Sequence, residues 1–148
     1  MQFKSFIALS ALLALTIAGP VPEAHVVTEA EFTHWLKTTD AKLTFIGKPI
    51  PGINAPEDLV SRAALDTMVS YCDTRTGSVC GGSCTVYNGG PTCLATPGTE
   101  CMYASNNVGF CDREGCGNSC NEFNSCGTRL DAGYCYTPGT ASINVGDF

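Results

Sequence analysis

All ten cysteines of this 148-residue chain lie between Cys72 and Cys135, and the first 71 residues contain none. That distribution limits what the second half can become. From Ala63 onward the chain holds only twelve Leu, Ile, Val and Phe, about 14% of that stretch, below the roughly 20% at which chains drift toward disorder. So little apolar area cannot offset a backbone entropy cost of about 1–2 kcal/mol per ordered residue. Each disulfide restricts the unfolded chain and typically adds about 2–4 kcal/mol. Ten cysteines permit five bridges. A zinc site fits less well, because structural zinc favours Cys-x2-Cys pairs, often with His. The closest spacings here are Cys80-x3-Cys84, Cys116-x3-Cys120 and Cys111-x4-Cys116, and no His lies downstream of Cys72. Cys72, Cys80, Cys84, Cys93, Cys101, Cys111, Cys116, Cys120, Cys126 and Cys135 are therefore read as disulfide scaffold, with no metal and no cofactor expected.

Disulfides need an oxidising compartment, and the N-terminus supplies the route. Lys4 gives a positive n-region and Phe6–Ala18 an apolar run, followed by Gly19-Pro20. Residues 1–18 read as a signal peptide cut after Ala18. A retained anchor is the alternative, but the run is shorter than the roughly 20 residues a spanning helix needs. The C-terminal Ile143–Phe148 is no lipid-attachment tail. The expected product is secreted and extracellular, without membrane insertion.

Residues 19–62 differ in composition, holding His25, His34 and the only tryptophan, Trp35. Thr28-Glu-Ala-Glu31 fits a capping box, which would place Phe32, Trp35 and Leu36 on one helical face. Leu43–Ile46 reads as a short strand, and Gly47–Gly52 as a turn or extended linker. This α/β-like segment is either a propeptide removed near the monobasic Val60-Ser61-Arg62, the preferred reading, or a permanent N-terminal extension packed on the cysteine-rich domain of residues 63–148.

That domain carries an internal repeat. Tyr71-Cys72-Asp73 recurs as Phe110-Cys111-Asp112, Cys80-Gly-Gly-Ser-Cys84 as Cys116-Gly-Asn-Ser-Cys120, and Thr85–Gly90 as Thr128–Gly133. Cys93 matches Cys135, and Thr96-Pro-Gly-Thr99 matches Thr137-Pro-Gly-Thr140. Two units follow, 71–109 and 110–148. Four cysteines in each have a repeat partner, and within each four three connectivities stay open. Cys101 and Cys126 are left over and most simply pair with each other, stapling the units. Alternatively, a hairpin turning at Ser105-Asn-Asn107 would set Cys101 opposite Cys111.

Local signals point to strands and turns. Asn88-Gly89 suits a type I′ turn, with Asp131–Gly133 playing a similar part in the second unit, and Tyr134 and Tyr136 would share one side of a strand. Pro97-Gly98 and Pro138-Gly139 favour turns with glycine at positive φ. The expected fold is small, disulfide-rich and mostly β and loop, made of short hairpins in two pseudo-repeat units.

The run YCDTRTGSVCGGSCTVYNGG, followed by FCDREGCGNSCNEFNSCGTRLDAGYCYTPGT, resembles a group of small secreted cysteine-rich proteins from basidiomycete fungi. The upstream THWLKTTDAKLTFIG is similar to the segment preceding that domain in such proteins. The resemblance covers most of the chain after the signal peptide. It implies a fungal secreted origin and an effector-like, fruiting-body or cell-surface role, and it supplies no catalytic residues.

The formal net charge of −6 disfavours nucleic acid and anionic membranes, both of which attract Lys and Arg. Without His or Lys after Ala63, no serine there has a base to activate it. Carboxylate pairs such as Asp112 with Glu114, or Asp73 with Glu100, would need a sugar cleft holding them about 5–9.5 Å apart, and a small stapled domain hardly forms one. The chain is therefore read as a non-enzyme that binds an extracellular protein or a glycan. Tyr87, Tyr103, Tyr134 and Tyr136 could stack on sugar rings, with Asn88, Asn106, Asn107 and Asn124 beside them, although covering the disulfide core is their commoner role. No N-glycosylation sequon occurs. A protease inhibitor is the runner-up, with Ser125–Leu130, including Arg129, as its presented loop.

Overall fold

The structure is a computed structural model that describes residues 28–57, 66–117 and 119–146. The expected signal peptide, His25 and the expected Val60–Arg62 processing site lie outside the described residues.

Thr28 caps the helix α1, Glu29–Thr38. Its hydroxyl accepts a hydrogen bond from the Glu31 amide at 3.3 Å, and its own amide donates to the Glu31 carboxylate at 2.8 Å. Two of the amides that a helix start leaves orphaned are thereby satisfied, as the capping-box spacing predicts. Phe32 and Leu36, one turn apart, are buried, and Trp35 packs beside them.

Seven strands follow: β1 (Lys42–Gly47), β2 (Thr67–Thr76), β3 (Val79–Gly89), β4 (Thr92–Ala104), β5 (Gly109–Cys111), β6 (Cys120–Glu122) and β7 (Cys135–Val145). They form one sheet in the order β1-β3-β2-β4-β7-β5-β6. The fold is thus small, disulfide-rich and mostly β, but as a continuous sheet with strands of up to thirteen residues rather than separate short hairpins. β1 pairs parallel to β3, from Lys42 opposite Ser83 to Gly47 opposite Asn88; every other pairing is antiparallel.

Asn88-Gly89 does not turn. Both residues lie in β3, because β1 covers that edge and the Asn88 amide donates to the carbonyls of Lys48 and Pro49. Thr128–Gly133, matched to Thr85–Gly90 in sequence, forms no strand of this kind: Arg129 makes a single bridge to Cys135, and Asp131–Gly133 is a 3-10 turn.

Both Thr-Pro-Gly-Thr runs interrupt their strands. Register shifts fall between Ala95 and Thr99 on β4, with Gly98 at φ 78° and Gly139 of β7 at φ 76°, the left-handed region that glycine accepts without a Cβ clash. One apolar cluster joins Leu94, Ile143 and Val145 to Val69, Met102 and Ala104. The second cluster, on the other face, gathers Phe32, Leu36 and Ile50 onto Met68, Val86, Tyr103 and Tyr134.

All ten cysteines are paired. Cys72–Cys84 joins directly opposed residues of β2 and β3, and Cys111–Cys120 does the same across β5 and β6, with Cα–Cα distances of 4.1 and 4.0 Å. Cys80–Cys101, Cys93–Cys116 and Cys126–Cys135 complete the set. The expected Cys101–Cys126 staple is therefore corrected. Register places Cys101 opposite Cys72, where Cys80 of the β2–β3 hairpin reaches it, while Cys126 is held against Cys135. The bridge between the two sequence units is Cys93–Cys116. Cys101 does not face Cys111 either, because β7 lies between β4 and β5.

Candidate functional site

The four tyrosines singled out from the sequence divide into two pairs. Tyr103 and Tyr134 are buried. The Phe32 ring stacks on Tyr103 at 3.8 Å between centroids, and Trp35 tilts over Tyr134 at 4.9 Å. Tyr134 donates its hydroxyl to Ser70 Oγ at 2.8 Å, and burial pushes its pKa well above the ordinary phenol value. These two rings are core, and α1 covers them. Tyr87 and Tyr136 stay half-buried. Tyr87 donates to the Gly90 carbonyl, and burial raises its pKa, the nearby Asp66 carboxylate adding to the effect. The Tyr136 ring lies under the Arg75 guanidinium, 4.2 Å from its centroid. The structure thus does not bring the four rings together as one sugar-stacking platform.

In the loop considered for protease inhibition, Ser125, Gly127, Thr128 and Arg129 are exposed. Arg129 donates to the Phe123 carbonyl at 2.9 Å and lies over the Phe123 ring, while Leu130 is buried and its amide donates to Tyr134. Of the acid pairs, Asp112 and Glu114 are exposed around a tight turn; Asp73 is exposed on β2 and Glu100 half-buried on β4. His34 is exposed on α1. No group of three metal-ligating side chains converges among the described residues.

What sequence reading missed is a cleft of about 360 Å³ lined by Asp40, Thr74, Thr76, Val79, Gly81 and Gly82. The β2–β3 hairpin builds it. Asp73 Oδ1 accepts from the Ser83 amide and the Thr74 hydroxyl, each at 2.9 Å, and these bonds, the amide first, hold its pKa below the usual carboxylate value. Gly82 sits at φ 81°, and a Cβ there would collide with the Asp73 carboxylate and the Thr74 hydroxyl. The hairpin is pinned from its other side by Cys80–Cys101, by Arg75 over Tyr136, and by Ser78, whose hydroxyl donates to Asp131 at 2.8 Å. Val79, 53% exposed, is the most exposed large hydrophobic residue described. The sequence signal for this feature was the Gly81-Gly82 pair between two cysteines, which leaves a strand edge bare of side chains.

Comparison with protein families, with curated proteins and with solved structures finds no match for the chain.

Proposed function

We propose that the chain is a secreted, non-enzymatic protein that acts by binding another protein outside the cell. The observation that carries this reading is the pairing of all ten cysteines into five disulfides, a framework that persists only in an oxidising compartment and that holds loops and strand edges rigid for a partner. No described helix is long and apolar enough to cross a membrane. An effector-like or cell-surface role, as in the fungal group the sequence resembles, fits the same framework.

The two-unit organisation belongs to this proposal. Its support is the strand order β3-β2-β4-β7-β5-β6, which reads alike from both ends when β2, β3 and β4 are matched to β5, β6 and β7. Thr99 and Thr140 oppose each other across β4 and β7, and each donates to the carbonyl of the threonine three residues before it. We also place residues 28–57 in the working protein, because Phe32 is fully buried on Tyr103 and β1 completes the β3 edge.

Purified full-length secreted protein tests the reading. Incubated with labelled peptide pools, chitin, glucan and a panel of secreted proteases, it should bind peptide and leave protease activity unchanged. Retention on glycan alone would favour the glycan reading, protease inhibition the inhibitor reading. Hydrolysis abolished by one Asp or Glu substitution would overturn both in favour of an enzyme.

A further inference from the structure

The β2–β3 hairpin outruns the rest of the sheet. β1 pairs with β3 only from Ser83 to Asn88, and β4 pairs with β2 only from Val69 to Cys72. Val79–Gly82 therefore has β2 on one side and, among the described residues, no strand on the other. Asp40, two residues before β1, lines the cleft with Val79, Gly81 and Gly82 of β3 and with Thr74 and Thr76 of β2. Exposed edges are normally guarded by lysine, proline or inward charges. This one reads Val-Cys-Gly-Gly, with no lysine or proline; its one irregularity is at Gly82, φ 81°, where the β2–β3 register shifts.

We infer that this edge receives an extended, lysine- or arginine-bearing peptide segment of a protein partner as an added strand, collinear with β1. The inference rests on the binding function proposed above and names its site. Backbone hydrogen bonds to an open edge supply affinity in strand addition, and flanking side chains supply selectivity. Here Val79 offers an apolar contact and Asp40 an exposed carboxylate, with Asp73 next to Gly82 adding a second. A cationic side chain complements those acids and the net charge of −6. No aromatic ring lines the cleft, which disfavours a sugar, since sugars seek a ring to stack on. The hairpin is pre-organised by Cys80–Cys101 and the Ser78–Asp131 contact, so little ordering entropy is lost when a strand docks.

The probe is a short, terminally blocked peptide of alternating threonine and valine with one central lysine, titrated into the isotope-labelled full chain and followed by amide chemical shifts. Shifts should concentrate at Val79–Gly82, and Asp40→Lys and Val79→Lys should each weaken binding about tenfold. Both sites are exposed, so the variants should fold, as their unperturbed core amides would report. The same peptide N-methylated at alternate amides should not bind. Shifts mapping to another face would overturn the site while leaving the binding function standing, and so would binding that survives N-methylation or no shifts at saturating peptide. Concentration-dependent shifts at Val79–Gly82 without peptide would assign the edge to a second copy of the chain and overturn the inference in that way.

Discussion

Replacing Phe32 by alanine separates an integral N-terminal segment from a dispensable one. Phe32 is 0% exposed, its ring stacks on Tyr103 at 3.8 Å with 14° between the planes, and Trp35 and Tyr134 complete its surroundings at 5.8 and 6.2 Å. Truncating a fully buried phenylalanine costs about 3–5 kcal/mol, the removed apolar surface and the residual cavity together, and lost ring stacking accounts for about 0.5–1.5 of that. Small domains are stable by only about 5–15 kcal/mol, so the loss is a large share. Urea unfolding of the intact chain, disulfides left oxidised, can be followed through Trp35, the only tryptophan and itself packed on Tyr134. With a slope of about 1–3 kcal/mol per molar urea, the midpoint should fall by roughly 2 M. Lys37→Ala, on the exposed side of the same helix, should stay within about 0.5 kcal/mol of the parent. A Phe32→Ala protein with the parent midpoint would refute the reasoning, since α1 would then contribute nothing to the fold.

Stepwise reduction should open Cys93–Cys116 first, because Cys93 is exposed and Cys116 half-exposed, and Cys72–Cys84 and Cys80–Cys101 last, because their four sulfurs are buried; alkylation and peptide mapping give the order, and early loss of the buried pairs would contradict it. Complete reduction should add ten hydrogens to the intact mass, two for each of the five bridges. Burial raises the pKa values of Tyr71, Tyr87 and Tyr134, so folding stability should be intact below the unfolded phenol value of about 10 and decline as pH rises above it. Phenolate absorbance should show these groups ionising late and together with unfolding, whereas independent titration of Tyr71, Tyr87 and Tyr134 near the free phenol value would count against the burial. Lys48→Met should destabilise by about 1–3 kcal/mol, because it strips a 2.8 Å partner from the Asp66 carboxylate, whose side chain is 5% exposed; thermal unfolding alongside the Asp66→Asn, Lys48→Met double variant, which should recover part of the loss, checks it.

The parts of the fold legible in sequence are those set within a few residues. Thr28 and Glu31 announce α1 because a capping box closes on itself over three positions. Pro-Gly announces the kinks at Gly98 and Gly139 because only the local φ is at issue. The complete set of disulfide cysteines is legible from count and compartment. Their pairing is not, because it depends on which strands become neighbours. Cys80 reaches Cys101 only after β2 has paired with β3 on one side and β4 on the other, a register written in residues dozens of positions apart. Asn88-Gly89 misleads for the same reason. Its turn preference is a local bias, and the edge pairing with β1, together with the Asn88 amide bonds to Lys48 and Pro49, outweighs it.

The candidate site was less legible than the fold, because a bare edge is defined by what does not cover it. Function is read from sequence through side chains, and two of the four tyrosines that stood out are taken by the core: Tyr103 and Tyr134 pack under α1. The cleft instead uses two glycines, two threonines, one valine and one aspartate, none of which signals chemistry alone. What joins them is the mismatch in length between β1, which starts opposite Ser83, and β3, which starts at Val79. The Asp73 carboxylate then makes the gap durable, because it holds the Ser83 amide and leaves no room for a Cβ at Gly82. A side chain at position 82 would therefore strain the hairpin against Asp73 and Thr74 at the very point where β3 loses its β1 neighbour.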